Sequence, residues 1–159
     1  RIICPILDKY LLDVMSNISN MDITDLRLIL HSSPKEKHHD MIILQQKRNF
    51  YKPHKHLKKG ETYHIILGKM CCVMFTESGK IKKTCLLNKN EIFRTPIDIY
   101  HTMLPLTEFV IYHESKVGPL LKKNDSVLNL GRGANGPLKN YAILKEYIEL
   151  FTTFKHNSF

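Results

Sequence analysis

Between Asp25 and Ser115, short runs of strand-type sequence follow one another with little between them except turn chemistry. No other feature constrains the fold as tightly. The runs cover residues 25–31, 41–46, 49–56, 62–67, 69–76, 80–87, 92–95, 101–104 and 108–116. Ser32-Ser33-Pro34, Gly68, Ser78-Gly79 and Asn88-Lys89-Asn90 punctuate them. Runs rich in β-branched and aromatic residues, each closed by Gly, Pro, Asn or Ser, read as strands. Strands this short and this closely spaced imply a sandwich or barrel, not a parallel α/β sheet.

The two ends read differently. Residues 1–24 place Ile6, Leu7, Tyr10, Leu11, Val14, Met15 and Ile18 at helical spacing, which predicts an N-terminal helical extension. Past Gly118-Pro119, residues 120–159 begin as a loop with Gly131, Gly133 and Gly136. They continue with Tyr141, Leu144, Tyr147, Ile148 and Phe151 at helical spacing, so a C-terminal helix is expected to pack on the barrel. Residues 25–119 form the barrel itself. A chain of 159 residues suits one domain that buries most of its apolar surface. A bound metal is then not needed as a staple, and has a local or functional reason.

Four cysteines occur without a CxxC pair, which excludes zinc-ribbon and thioredoxin-like motifs. Cys71 and Cys72 are adjacent and point to opposite faces of a strand. They read as free thiols in a reducing cytoplasm. No apolar run reaches the roughly 20 residues that span a bilayer, and the apolar stretch at 2–7 is short and broken by Pro5, unlike a signal peptide. The expectation is a cytoplasmic protein without a membrane partner. Net charge is +9, but the lysines are scattered in pairs beside turns. That pattern is a solvated surface compatible with a small anionic substrate. It lacks the continuous basic stripe with aromatics that nucleic acid would want.

Chemistry concentrates in Pro53-His54-Lys55-His56 and the Glu61 that follows the Lys58-Lys59-Gly60 turn. In extended chain, His54 and His56 project to one face. Glu61 opens the next strand and returns to that face, followed inward by Tyr63, Ile65 and Leu67; Thr62, His64 and Ile66 point away. His101 arrives after the Pro96-led turn. Three imidazoles and a carboxylate suit one divalent transition metal, Fe, Mn, Ni or Zn among them, with positions open for water or substrate. Such a set suits Ca or Mg poorly. Tyr63 is a candidate proton donor or a packing residue, and Arg48 and Lys52 are candidate anion contacts.

His54, His56, Glu61 and Gly68 match the first cupin motif, HxH, four residues, Glu, six residues, Gly. Pro96 and His101 match the second, PxGxxH, with Asp98 in place of the glycine; Asp tolerates a left-handed turn. Arg48 stands where the first motif usually has a glycine. Together with the hairpin over 75–79 and Glu114-Ser115-Lys116-Val117-Gly118-Pro119, the stretch 25–119 resembles the WbuC family of cupin fold metalloproteins. The resemblance implies an all-β double-stranded β-helix (a jelly-roll barrel with a short helix at each end) and metal ligands at His54, His56, Glu61 and His101. It also implies cavity residues at Arg27, His31, Glu114 and Lys116. Glu114 is either a general base or the ion partner of Lys116. By analogy with cupins of this size, a homodimer is expected.

That family is associated with bacterial surface-polysaccharide (O-antigen) gene clusters. The expected function is therefore a metal-dependent isomerase or epimerase acting on an anionic sugar or nucleotide-sugar, with Glu114 and Tyr63 as the proton-moving groups. A non-haem Fe(II) dioxygenase and a non-catalytic sugar-binding module are the alternatives. Oxygen uptake separates the first from an isomerase. Ligand binding indifferent to Glu114→Gln separates the second.

Overall fold

The computed structural model describes residues 25–49 and 51–119, together with Asp13, Asn17 and Val127. The helices expected within 1–24 and 120–159 lie, but for those three residues, outside the described part. The described residues form eight strands: β1 (Leu26–Ile29), β2 (His38–Gln46), β3 (Glu61–Leu67), β4 (Met70–Phe75), β5 (Ile81–Leu87), β6 (Ile92–Arg94), β7 (Tyr100–Pro105) and β8 (Phe109–Val117). A five-stranded sheet has the order β1-β2-β8-β3-β6, and a three-stranded sheet the order β5-β4-β7. Every pairing is antiparallel. The all-β jelly roll expected from the sequence is what the chain forms. Among the described residues no helix is long and apolar enough to cross a membrane.

Alternation along the strands builds the core. Met41, Ile43, Tyr63, Ile65, Val110 and Tyr112 from the larger sheet meet Met70, Cys72, Met74, Leu87 and Met103 from the smaller one. Burying side chains of this size stabilises the sandwich by about 1.5–3 kcal/mol each. Cys71 and Cys72 fall on opposite faces as expected: Cys72 joins this core, while Cys71 packs with Val73, Phe75, Tyr100 and Leu104 on the other side of the smaller sheet. Cys71, Cys72 and Cys85 are free thiols.

Two local expectations are corrected. The described residues of the expected 49–56 run, 49 and 51–56, do not form a strand. The segment makes isolated bridges only, His54 with His101 and Lys55 with Val127. Pro53 has no N–H to give a ladder, and the segment crosses the barrel end without running along a neighbour. Leu67 does not point inward either. The β3–β8 register shifts between Ile65 and Leu67, and the bulge carries Leu67 to the outer cluster with Ile66, Ile42, Leu44 and Ile111. Gly68 follows at φ 88°, where a Cβ would lie 2.6 Å from Thr107 Oγ1, so the tight β3–β4 turn requires a glycine.

Candidate metal centre

The inner face of β3 and β8 carries a block of four functional side chains set by register. Glu61 pairs with Lys116, and Tyr63 with Glu114. Glu61 is held by its backbone as well: its N–H donates to Thr95 Oγ1 at 2.9 Å, and Thr95 N–H returns a bond to the Glu61 carbonyl at 2.8 Å. Gly60 is needed just before it, because a Cβ there would lie 2.5 Å from the Thr95 carbonyl oxygen. His101 comes from β7 in the opposite sheet.

The crossing segment brings the remaining two histidines. His54 and His101 exchange both backbone hydrogen bonds, at 3.1 and 2.9 Å, and Asp98 N–H donates to the His56 carbonyl at 2.9 Å. Asp98 sits at φ 58°, the left-handed turn that the motif fills with glycine elsewhere. Lys55, between the two histidines, turns away from the cavity. It pairs with Glu77 at 2.7 Å and Asp98 at 2.8 Å, and its ammonium lies 4.9 Å from the Tyr100 ring centre. That clamp ties the first motif to the second.

The result is one tight cluster. The ligating atoms of His54, His56, Glu61 and His101 all lie within 4.8 Å of one another. Glu61 Oε1 is 3.1 Å from His56 Nε2; Oε2 is 3.3 Å from His101 Nε2 and 3.9 Å from His54 Nε2. Glu61 and His101 are 2% and 1% exposed, so the cluster is closed to bulk water on their side. His101 Nδ1 lies 2.9 Å from the Ile99 carbonyl and His54 Nδ1 3.1 Å from the Lys52 carbonyl. A carbonyl only accepts, so both rings donate from Nδ1 and turn Nε2 toward Glu61. Nε2 is thus the nitrogen that would offer its lone pair to a bound cation, at the point where the carboxylate also converges. The donor set fits a divalent transition metal in a site of mixed nitrogen and oxygen ligands.

The electrostatics support an ionised Glu61. Burial alone would push its carboxyl up, but His101, His54, His56 and the Lys116 charge outweigh it and hold it well below the usual carboxylate range. Lys116 reaches Glu61 Oε1 and Glu114 Oε1, both at 2.8 Å. Burial works against its charge, and the two carboxylates raise its pKa above the ordinary lysine value. Tyr63 donates to Glu61 Oε2 at 2.7 Å. Burial, with Glu61 and Glu114 nearby, pushes its phenol well above the usual tyrosine range, and burial with Glu114 does the same to Tyr112.

A phenol raised in the folded state contributes stability that is complete below the unfolded pKa of about 10 and is lost as pH rises through the folded one. On alkaline titration, Tyr63 and Tyr112 are expected to ionise only as the chain unfolds. Tyrosinate absorbance and the unfolding free energy should therefore change together above about pH 10. Early, reversible ionisation of every tyrosine in the folded protein would contradict it.

A cavity of about 280 Å³ opens over the cluster. His54, His56 and Glu61 line one end, with Tyr63, Glu114 and Lys116 on the wall. Arg27, Tyr51, Lys52, Tyr112 and Met103 complete it. Of the residues expected at the site, His31 and Arg48 are not among those lining the cavity. His31 stacks flat on buried His39, with ring centres 4.1 Å apart. Arg48 lies on the exposed turn after β2. His113 faces away and meets Asp40 at 2.9 Å, leaving Glu114 inside. Tyr51, Tyr112 and Thr95 were missed. Strand alternation from Glu114 and Lys116 marks Tyr112 as inward-facing; Tyr51 and Thr95 carry no such local signal.

Fold comparisons decide the architecture. The barrel superimposes on Cellulomonas parahominis L-ribose isomerase, determined with L-psicose, at a TM-score of 0.54, 13% identity, 65% of this chain and 68% of that one. It superimposes on the DMSP lyase DddQ from Ruegeria pomeroyi DSS-3 at a TM-score of 0.53 and 15% identity, covering 69% of this chain and 54% of that one. This is a cupin fold. A Lactobacillus farciminis oxalate decarboxylase, seen as a formate complex, matches at a TM-score of 0.48 and 17% identity over 58% of this chain, which spans only 27% of the decarboxylase. Residues 26–87 also match the family model of a domain of unknown function, DUF6016. No curated protein matches by sequence.

Proposed function

We propose that this cupin is a metal-dependent isomerase or epimerase that moves a proton beside the carbonyl of a small anionic sugar, in bacterial surface-polysaccharide synthesis. The observation that carries this reading is the placement of an acid–base wall, Glu114, Lys116 and Tyr63, over the four-ligand cluster in a single cavity. His54, His56, Glu61 and His101 would hold the metal, which supplies Lewis-acid polarisation of a carbonyl when bound.

The chain's own groups divide the remaining work. Glu114 lines the cavity and would take the proton from carbon. Lys116 stays charged beside it and steadies negative charge on that wall. Tyr63 keeps its proton and so cannot serve as the base; it orients Glu61 and can donate. That an L-ribose isomerase is built on the same fold is compatible with this chemistry. The surface-polysaccharide setting rests on the resemblance of the PHKH and ESKVGP segments to the WbuC family.

The test is to incubate metal-loaded protein with sugars, sugar phosphates and nucleotide-sugars in D₂O and follow the proton adjacent to the carbonyl by NMR. Deuterium entering at that carbon, dependent on metal, is the expected result. No exchange with any of them would end the isomerase reading. Oxygen uptake by the Fe(II)-loaded protein in its place would make the site an oxygenase.

A further inference from the structure

The cavity lining extends beyond the metal ligands. Arg27, a solvent-exposed residue on the edge strand β1, lines it with its guanidinium carbon 5.5 Å from the centre of the Tyr51 ring. Of the lysines nearby, Lys116 is occupied by Glu61 and Glu114 and Lys55 by Glu77 and Asp98, while Lys52 shares the cavity lining with Arg27. Arg27 has no carboxylate within 4.0 Å among the described residues. The sequence neighbour that could have neutralised it, Asp25, is engaged elsewhere. Asp25 accepts from Gln46 N–H at 2.9 Å, from Asn49 Nδ2 at 2.7 Å and from the Tyr51 hydroxyl. Asp25 thus fixes Tyr51, Tyr51 holds the guanidinium through its ring and hydroxyl with Glu114 acting on the charge from further off, and the rest of the five-donor fork is available to a ligand.

Charge and size narrow what that is. Arg27, Lys52 and Lys116 line the cavity against Glu61 and Glu114, an excess of positive charge before a divalent ion adds its own. A space of about 280 Å³ accommodates a single sugar ring with one acidic group.

We propose that the substrate is a monosaccharide-sized acid whose carboxylate or phosphate docks on Arg27 while its carbonyl end faces His54, His56, Glu61 and His101. This rests on the isomerase reading and narrows its substrate class. The planar fork of arginine pairs two N–H groups with two oxygens of either oxyanion, which a lysine cannot reproduce.

Calorimetric titration of the metal-loaded protein with D-glucuronate, D-glucose 6-phosphate and neutral D-glucose tests it. At least one acid is expected to bind about 10- to 100-fold more tightly than glucose, the scale of a charge-assisted bond pair. Which acid wins tells carboxylate from phosphate. Arg27→Met, which keeps an apolar stem over Tyr51, should lose that advantage of acid over glucose; Arg27→Lys should recover part of it. Acids that bind no better than glucose, acids that bind Arg27→Met as well as the native protein, or no binding by any of the three would each overturn the proposal. Metal-dependent deuterium exchange into a neutral sugar would still leave the isomerase reading standing, and acid preference without exchange on any sugar would do the reverse.

Discussion

His54→Ala/His56→Ala protein, expressed without a tag, is expected to lose its metal. Elemental analysis should find about one transition-metal ion per chain in the native protein and only traces in the variant. Four-ligand structural sites bind with about 10–16 kcal/mol, so two ligands account for roughly half and their loss weakens binding at least about 10³-fold. The variant should still fold, because Glu61 keeps Tyr63 and Lys116 as partners at 2.7 and 2.8 Å, and the main core lies deeper between the sheets. Circular dichroism of the two proteins checks this. Equal metal in both would move the site elsewhere. No metal in either after reconstitution with Fe, Mn, Ni and Zn would remove the metal-centre reading, and with it the isomerase built on it.

Much of the fold and the cluster was legible because the determining information is local. His54, His56 and Glu61 lie within eight residues, joined by a single turn, so their convergence is written in one short stretch of sequence. His101 was legible through its own turn, with Asp98 taking the left-handed conformation. The strands were legible because every one is antiparallel and most are closed by a turn. What failed depended on distant partners. Residues 49–56 look like a strand, but a strand is defined by its ladder, and this segment finds single bridges only. Strand alternation sent Leu67 inward, and a bulge forced by pairing with β8 reversed it. His31 and Arg48 were assigned to a cavity whose walls no spacing rule describes. The first stacks on His39, and the second sits on a turn. Arg27 gave no local sign of the Asp25–Tyr51 support that positions it, because that support joins residues 26 apart.

Glu114→Gln separates chemistry from metal binding. The substitution keeps the shape and leaves Lys116 its partner Glu61 at 2.8 Å, so metal content should match the native protein. Deuterium exchange into the substrate should fall by about 10²–10⁴-fold, the usual contribution of a positioned general base. Tyr63→Phe should behave in the opposite way. It removes the 2.7 Å hydrogen bond to Glu61 Oε2 and so loosens a ligand, which typically costs about 10- to 100-fold in metal affinity. At saturating metal its exchange rate should largely recover, since a phenol that stays protonated is not the base. If Glu114→Gln kept its rate, the base would lie elsewhere on the cavity wall. If it lost metal along with its rate, Glu114 would act through Lys116 on Glu61, as a positioning residue and not a catalytic one. Paired measurement of metal content and exchange in both variants therefore assigns the two roles independently, because Tyr63 bonds a metal ligand directly while Glu114 reaches one only through Lys116.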